Sequence, residues 1–240
     1  MIFIKDLCKS YGKNDVLKNI NITFEKGKVY GIVGENGAGK TTLFRCLANL
    51  ENYSGSIESD FKSLKDNLGY LMTESYFFTN ITGNEYVRLL CNARKIDISN
   101  NILKDKNIFD LPLNDYVSTY STGMKKKLAL YAILLQDNQC FLLDEPYNGI
   151  DIHSNIIIVE IINKLKDLGK TVITASHIFS TLKDTCDEIL HLKNNTIEKK
   201  VCKDDFDTLE EELKEVAIGN KINMLFNVVE LPPAPLKEGG

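Results

Sequence analysis

Val29-Tyr30-Gly31-Ile32-Val33-Gly34-Glu35-Asn36-Gly37-Ala38-Gly39-Lys40-Thr41-Thr42 is the stretch that decides the fold. It opens on an apolar β-rich run and passes through a glycine-rich turn, after which Leu43, Phe44, Leu47 and Leu50 follow at helical spacing. Gly34 to Thr41 matches G-x-x-x-x-G-K-S/T, and the order strand, loop, helix is the one that phosphate binding demands. Glycines let backbone N–H groups curl around phosphate oxygens, and the helix N-terminus adds partial positive charge. In this reading Gly34, Glu35, Asn36, Gly37, Ala38, Gly39, Lys40, Thr41 and Thr42 hold the phosphates of a nucleoside triphosphate, and the motif alone says only P-loop NTPase. Lys40 reaches the β- and γ-phosphates, and the Thr41 hydroxyl ligates Mg²⁺.

Downstream, Cys140-Phe141-Leu142-Leu143-Asp144-Glu145 is an apolar strand ending in two acids. Such a run suits a buried central strand that delivers carboxylates at its C-terminal edge, where parallel sheets bind ligands. Asp144 is placed to hold Mg²⁺ and Glu145 to orient and deprotonate the attacking water. Burying both acids is costly without a cation, which the metal supplies.

The remaining pattern fits an α/β protein. Ile2 to Ile4, Ile20 to Phe24 and Val29 to Val33 read as strands broken by turns at Tyr11-Gly12-Lys13-Asn14 and Glu25-Lys26-Gly27-Lys28. Residues 76–133 are mostly helical by periodicity. Cys140 to Leu143 and Thr171 to Ala175 are short apolar runs flanking an Ile-rich helix from Asn155 to Leu168, which together require a parallel sheet covered on both faces. Glu188 to Leu192 and Thr196 to Val201 form a hairpin around Asn194-Asn195. A helix follows from Asp204 with Phe206, Leu209, Leu213 and Val216 inward. The expected architecture is therefore a mostly parallel core sheet, an N-terminal antiparallel β subdomain and an inserted helical subdomain. The main domain spans 1–217, and 218–240, ending in Leu231-Pro232-Pro233-Ala234-Pro235 and a Gly-rich end, reads as an extension and flexible tail.

Composition sets limits on partners. The 240 residues are 43% hydrophobic and carry a formal charge of -4, so no global basic surface points to nucleic acid. The six cysteines include no C-x-x-C pair and no zinc spacing, which suits a reduced cytoplasmic setting. No apolar run approaches the roughly 20 residues that cross a bilayer. Work at a membrane then requires another chain to bring the protein there.

The residues between the phosphate loop and the two acids carry a resemblance to the ABC (ATP-binding cassette) family. Tyr120-Ser121-Thr122-Gly123-Met124-Lys125 resembles the L-S-G-G-Q signature, about twenty residues before the acids. Asn148-Gly149-Ile150-Asp151 resembles the D-loop, His177 the switch histidine and Tyr11 the aromatic that stacks on adenine. The match extends over nearly all of residues 1 to about 200. It implies Mg²⁺-dependent ATP hydrolysis with Glu145 and His177 as catalytic residues. It also implies a homodimer or heterodimer of nucleotide-binding domains in which Ser121, Thr122 and Gly123 face the γ-phosphate bound by the other protomer. Lys125, Lys126 and Lys127 sit in the first turn of the helix after the signature, where the dipole disfavours each exposed cation by about 0.3 to 1 kcal/mol. A nearby polyanion relieves that cost, and a solvated charge run is the alternative.

One departure stands out. Where the family places a Mg²⁺-binding glutamine, this chain has Met72-Thr73-Glu74, so Thr73, Glu74 or only water completes the metal shell. The aromatic run Tyr76 to Phe78 either docks a partner helix or joins the helical core. Gly69 to Glu85, with Tyr120 opening the signature, resembles the exporter branch that works with ABC-2-type membrane proteins. The resemblance thus implies a peripheral ATPase at the inner face of the membrane that serves separate transmembrane permease subunits. A soluble ABC ATPase of an assembly system, such as iron-sulfur cluster assembly, is the alternative, and a nucleotide-gated binding module with little turnover is a third.

Overall fold

The computed structural model describes residues 1–218, with side chains through Glu215. The chain forms two compact units, Met1–Lys203 and the part from Asp204 onward. The expected extension and tail, 219–240, and the side chain of Val216 lie outside the described residues.

Two sheets build the first unit. β1 (Ile2–Tyr11), β2 (Asn14–Phe24) and β4 (Ser54–Ser59) form an antiparallel sheet in the order β2-β1-β4. The second sheet contains β3 (Val29–Val33), β5 (Leu68–Leu71), β6 (Cys140–Asp144), β7 (Thr171–Ala175), β8 (Glu188–Lys193) and β9 (Thr196–Cys202). Its order is β5-β6-β7-β3-β8-β9, parallel from β5 through β8, with β9 antiparallel on the edge. Every residue of β3, β6 and β7 is buried, which is why these strands read as unbroken apolar runs.

The helix after the phosphate loop, α1 (Lys40–Leu47), packs on both β2 and β6 and so joins the two sheets. One core results, in which Ile4, Leu7 and Phe24 of the antiparallel sheet meet Phe44 and Leu47 of α1 and Leu142 of β6. Phe44 is wholly buried, which is worth roughly 1.5–3 kcal/mol. Its ring also meets Tyr70 of β5 edge-on, with 6.2 Å between centroids.

The inserted helices are α2 (Gly83–Asn92), α3 (Asn100–Asp105) and α4 (Thr122–Leu134), with α2 packed on α4. They begin seven residues after the expected start at 76, because Thr82 caps α2: its hydroxyl accepts from the Glu85 N–H while the Glu85 carboxylate accepts from the Thr82 N–H. α5 (Ile152–Asp167) likewise begins before the expected Asn155, because Asp151 caps it by accepting from the Ser154 N–H at 2.8 Å. It ends at Gly169, whose φ of 70° is left-handed. A short helix not anticipated from periodicity, α6 (Phe179–Thr185), follows β7. The second unit holds α7 (Phe206–Ile218), in which Phe206 and Leu209 are buried as expected and Leu213 is half-buried.

Strand order has a direct consequence for chemistry. Because β5, β6, β7 and β3 are parallel neighbours, their C-terminal ends lie along one sheet edge. The loops that follow them carry Thr73, Glu145, His177 and the phosphate loop, in that order.

Candidate nucleotide site

Those loops enclose a cavity of about 560 Å³, within the usual span for small-ligand sites. The phosphate loop forms one wall. Gly39 has φ 108°, open only to glycine, and this conformation turns the chain from loop into α1. Lys40 is nearly buried and donates to the carbonyls of Gly34 at 2.7 Å and Glu35 at 3.2 Å, with its ammonium 4.0 Å from Glu145 Oε1. Burial lowers its pKa, and the nearby Glu145 and Asp144 oppose that shift.

The opposite wall is acidic. Asp144 is wholly buried at the end of β6, and its Oδ2 accepts from the Thr41 hydroxyl at 2.7 Å. Its Oδ1 is buried without a partner, and so is the hydroxyl oxygen of Thr73, which lines the same cavity. Two orphaned oxygens beside a carboxylate-bound hydroxyl are what a hard divalent cation would satisfy, so these residues fit Mg²⁺. Among the described residues no group of three or more His, Cys, Asp or Glu is placed to hold a metal. Mg²⁺ would thus draw on few protein donors and on substrate oxygens, as is usual for it. Glu74, the rival to Thr73, is exposed and does not line the cavity.

Glu145 is held from three sides. Its N–H donates to the Ala175 carbonyl at 2.9 Å, and its Oε2 lies 2.7 Å from His177 Nδ1 and accepts from the His177 N–H at 3.3 Å. Its φ of 52° turns the chain sharply away from β6. His177 itself is half-exposed at the cavity wall. The pair can position a water molecule and accept its proton.

Ser121, Thr122 and Gly123 do not line this cavity. Ser121 caps α4, its hydroxyl accepting from the Met124 N–H at 3.2 Å, and Ser121 and Thr122 are exposed at that helix start. Gly123 packs against the D-loop backbone: a methyl group there would sit 2.7 Å from the Gly149 carbonyl oxygen. Gly123→Ala is therefore expected to cost about 1 to 3 kcal/mol of stability through overpacking, read as a lower urea midpoint with an unchanged slope. Asp151 joins the same contact, since its carboxylate also accepts from Lys127 at 3.2 Å. The Ser154 N–H, the Ser154 hydroxyl and then Lys127 hold that carboxyl well below the usual range.

The geometry bears on three further expectations. Lys126 and Lys127 are not a solvated charge run, because both bend back onto carbonyls and side chains of their own chain. The aromatic run is split: Phe77 packs on Tyr86 of α2 at 4.6 Å, while Tyr76 and Phe78 are exposed and meet edge-on at 5.4 Å. Tyr11 does not line the cavity. Its exposed ring lies under Lys9, whose ammonium is 4.5 Å from the centroid, on the hairpin that also carries Val16. Val16 and Asn148 do line the cavity; Val16 carried no recognisable sequence signal, whereas Asn148 opens the segment that resembles the D-loop.

A phosphate loop between strand and helix, with acids from a near strand facing it across a cavity, defines a P-loop nucleotide-binding ATPase. The family model described as ABC transporter matches residues 17–148, over half of the chain, and the chain belongs to that family as an ATP-binding subunit. Its relatives include the lantibiotic transport ATP-binding protein SrtF of Streptococcus pyogenes, 34% identical over 79% of this chain and 85% of that protein. The ABC transporter ATP-binding protein NatA of Bacillus subtilis (strain 168) is 32% identical over 82% of this chain and 87% of its own length. The bacitracin transport ATP-binding protein BcrA of Enterococcus faecalis is 29% identical over 79% and 65%. These relatives favour the transport reading over the assembly alternative.

Among solved structures, an ATP-binding subunit of an ABC transporter superposes with TM-score 0.79 at 23% identity, over 89% of this chain and 99% of that one. A dimeric cassette in a post-hydrolysis state, bound to ADP and Pi, gives TM-score 0.75 at 22% identity over 85% and 99%. At such identities the likeness speaks for the fold, and it agrees with the expected P-loop architecture. Among the described residues no helix is long and apolar enough to cross a membrane.

Proposed function

We propose that this subunit hydrolyses ATP with Mg²⁺ and passes the resulting domain motion to separate transmembrane permease subunits, at the inner face of the membrane. It acts in a homodimer or heterodimer of nucleotide-binding domains, and an export role follows the transport relatives. The ATPase domain comprises residues 1–217, and 218–240 extends it. The observation that carries the reading is the pair of orphaned oxygens, Asp144 Oδ1 and Thr73 Oγ1, of two residues that line the same cavity as Lys40.

That geometry supports the following roles. Lys40 exchanges its loop carbonyls for the β- and γ-phosphates, while N–H groups of Gly34 to Thr42 surround the phosphate oxygens. Thr41 and Asp144 would hold Mg²⁺, and Thr73 would join through water because a hydroxyl is shorter than the family's carboxamide. When bound, Mg²⁺ neutralises charge on the phosphates. Glu145 orients the attacking water and takes its proton, and His177 keeps the Glu145 carboxylate turned toward the γ-phosphate position. The base would lie toward Val16, which lines the cavity, and for Tyr11 to stack on it the ring must leave Lys9. Ser121, Thr122 and Gly123 complete the partner protomer's site, and Asp151 holds the D-loop against that signature. Tyr76 and Phe78, exposed beside the Thr73 loop, present apolar area to a permease segment.

A Mg²⁺ titration of ATPase activity tests the metal assignment. Thr41→Ala is expected to raise the half-maximal Mg²⁺ concentration by about tenfold or more, since a direct charge-assisted ligand is lost. Thr73→Ala is expected to raise it only a few-fold while most turnover survives. Activity independent of Mg²⁺ contradicts the assignment outright.

A further inference from the structure

Lys126 is a buried cation that the nucleotide site as described does not use. It is only 6% exposed, on the second turn of α4, and its ammonium donates to two main-chain carbonyls, those of Glu145 at 2.8 Å and Asn148 at 3.0 Å. The same Glu145 carbonyl accepts from the Asn148 N–H at 3.2 Å, which closes the turn Glu145-Pro146-Tyr147-Asn148. Both ends of that turn therefore hang on one ammonium group.

Desolvating an ammonium is expensive, and one that remains buried needs close acceptors. Burial does lower the Lys126 pKa, opposed by the charges of Glu145 and Asp144, so the cation stands near both acids while touching neither by hydrogen bond. Its two acceptors belong to residues that line the cavity, Glu145 and Asn148. Glu145 holds a left-handed backbone, φ 52°, that a non-glycine residue adopts only when its surroundings fix it. The Ala175 carbonyl fixes its N–H side, and Lys126 fixes its carbonyl side.

We propose that Lys126 is a positioning residue for hydrolysis: by bridging the Glu145 and Asn148 carbonyls it sets the backbone from which the Glu145 carboxylate reaches the attacking water. The same helix begins at Ser121, so α4 ties the signature end of the protomer to that protomer's own catalytic turn. Gly123 against the Gly149 carbonyl and Lys127 on Asp151 reinforce the seam from one side. Lys126 differs from these because it alone grips the residue that the proposed chemistry uses. Positional errors of about 1 Å at a catalytic group cost on the order of a hundredfold in rate.

The inference rests on the proposed role of Glu145, and steady-state kinetics on the full chain separate the two. Lys126→Met keeps the aliphatic stem and loses the ammonium. It is expected to lower kcat by about tenfold or more with nucleotide affinity within about threefold of the parent, and Lys126→Arg is expected to restore most of the loss. Added to Glu145→Gln, Lys126→Met is expected to have little further effect on residual turnover, since both act through one carboxylate. A parent-like kcat in Lys126→Met, or a kcat that falls only in step with the folded fraction or with affinity, overturns the proposal. If Glu145→Gln itself hydrolyses ATP like the parent, the reading of Glu145 fails first. Should Lys126→Met not fold, Lys126→Gln decides: its amide is one bond short of the ammonium position, so reduced kcat at parent affinity supports the bridge and unchanged kcat overturns it.

Discussion

Glu145→Gln is expected to bind Mg²⁺-ATP with near-parent affinity, to lose turnover by about 10² to 10⁴-fold, and to accumulate as a stable dimer in the presence of ATP. The amide is isosteric, so contacts among Glu145, His177 Nδ1 and the Ala175 carbonyl lose little geometry, and the phosphate contacts around Lys40 are untouched. What disappears is a base that can take the proton of the attacking water. Gel filtration with and without ATP, beside a phosphate-release assay, reads both halves of the result. Parent-like hydrolysis by the variant removes Glu145 from the proposed chemistry.

Lys40→Ala is expected to fail earlier, at binding. A buried ammonium that contacts two phosphates makes charge-assisted hydrogen bonds worth about 1.5 to 3 kcal/mol each, so nucleotide affinity falls by about 10² or more. Because those contacts stabilise bound ATP and the transition state alike, affinity and turnover decline together. The variant also leaves the Gly34 and Glu35 carbonyls without their donor, which loosens the loop that cradles the phosphates. An isothermal titration with unchanged affinity contradicts this role for Lys40.

Much of the fold was legible because its core strands are wholly buried. β6 and β7 have no polar face to confuse with a helix, and their expected bounds agree with the structure to within a residue. Helix starts were less legible where one residue carries two signals. Asp151 has both a D-loop place and a cap to supply, and Asp151 followed by Ser154 is a capping pattern in its own right. α6 escaped because seven residues span barely two turns, too few for a period.

At the site, the phosphate loop, the acid pair and His177 were all legible, since each sits at a strand end in a parallel sheet whose order brings them together. Lys126 was not. A run of three lysines looks the same in sequence whether it is solvated, faces a polyanion or turns inward. Only the packing of α4 beside the turn after β6 shows that the middle one is buried. The ring direction of Tyr11 was not legible either: a tyrosine beside a glycine gives no information on which way its ring points, and here it lies under Lys9.

The claim that two protomers share each site is tested most directly by mixing two inactive variants. Lys40→Ala keeps a sound signature and Ser121→Arg keeps a sound phosphate loop, so a heterodimer of the two contains one complete composite site. With heterodimers verified by differential tags, ATPase activity is expected to return to roughly half the parent rate per dimer, as one site in two is whole. Mixtures no more active than either variant alone contradict the shared site.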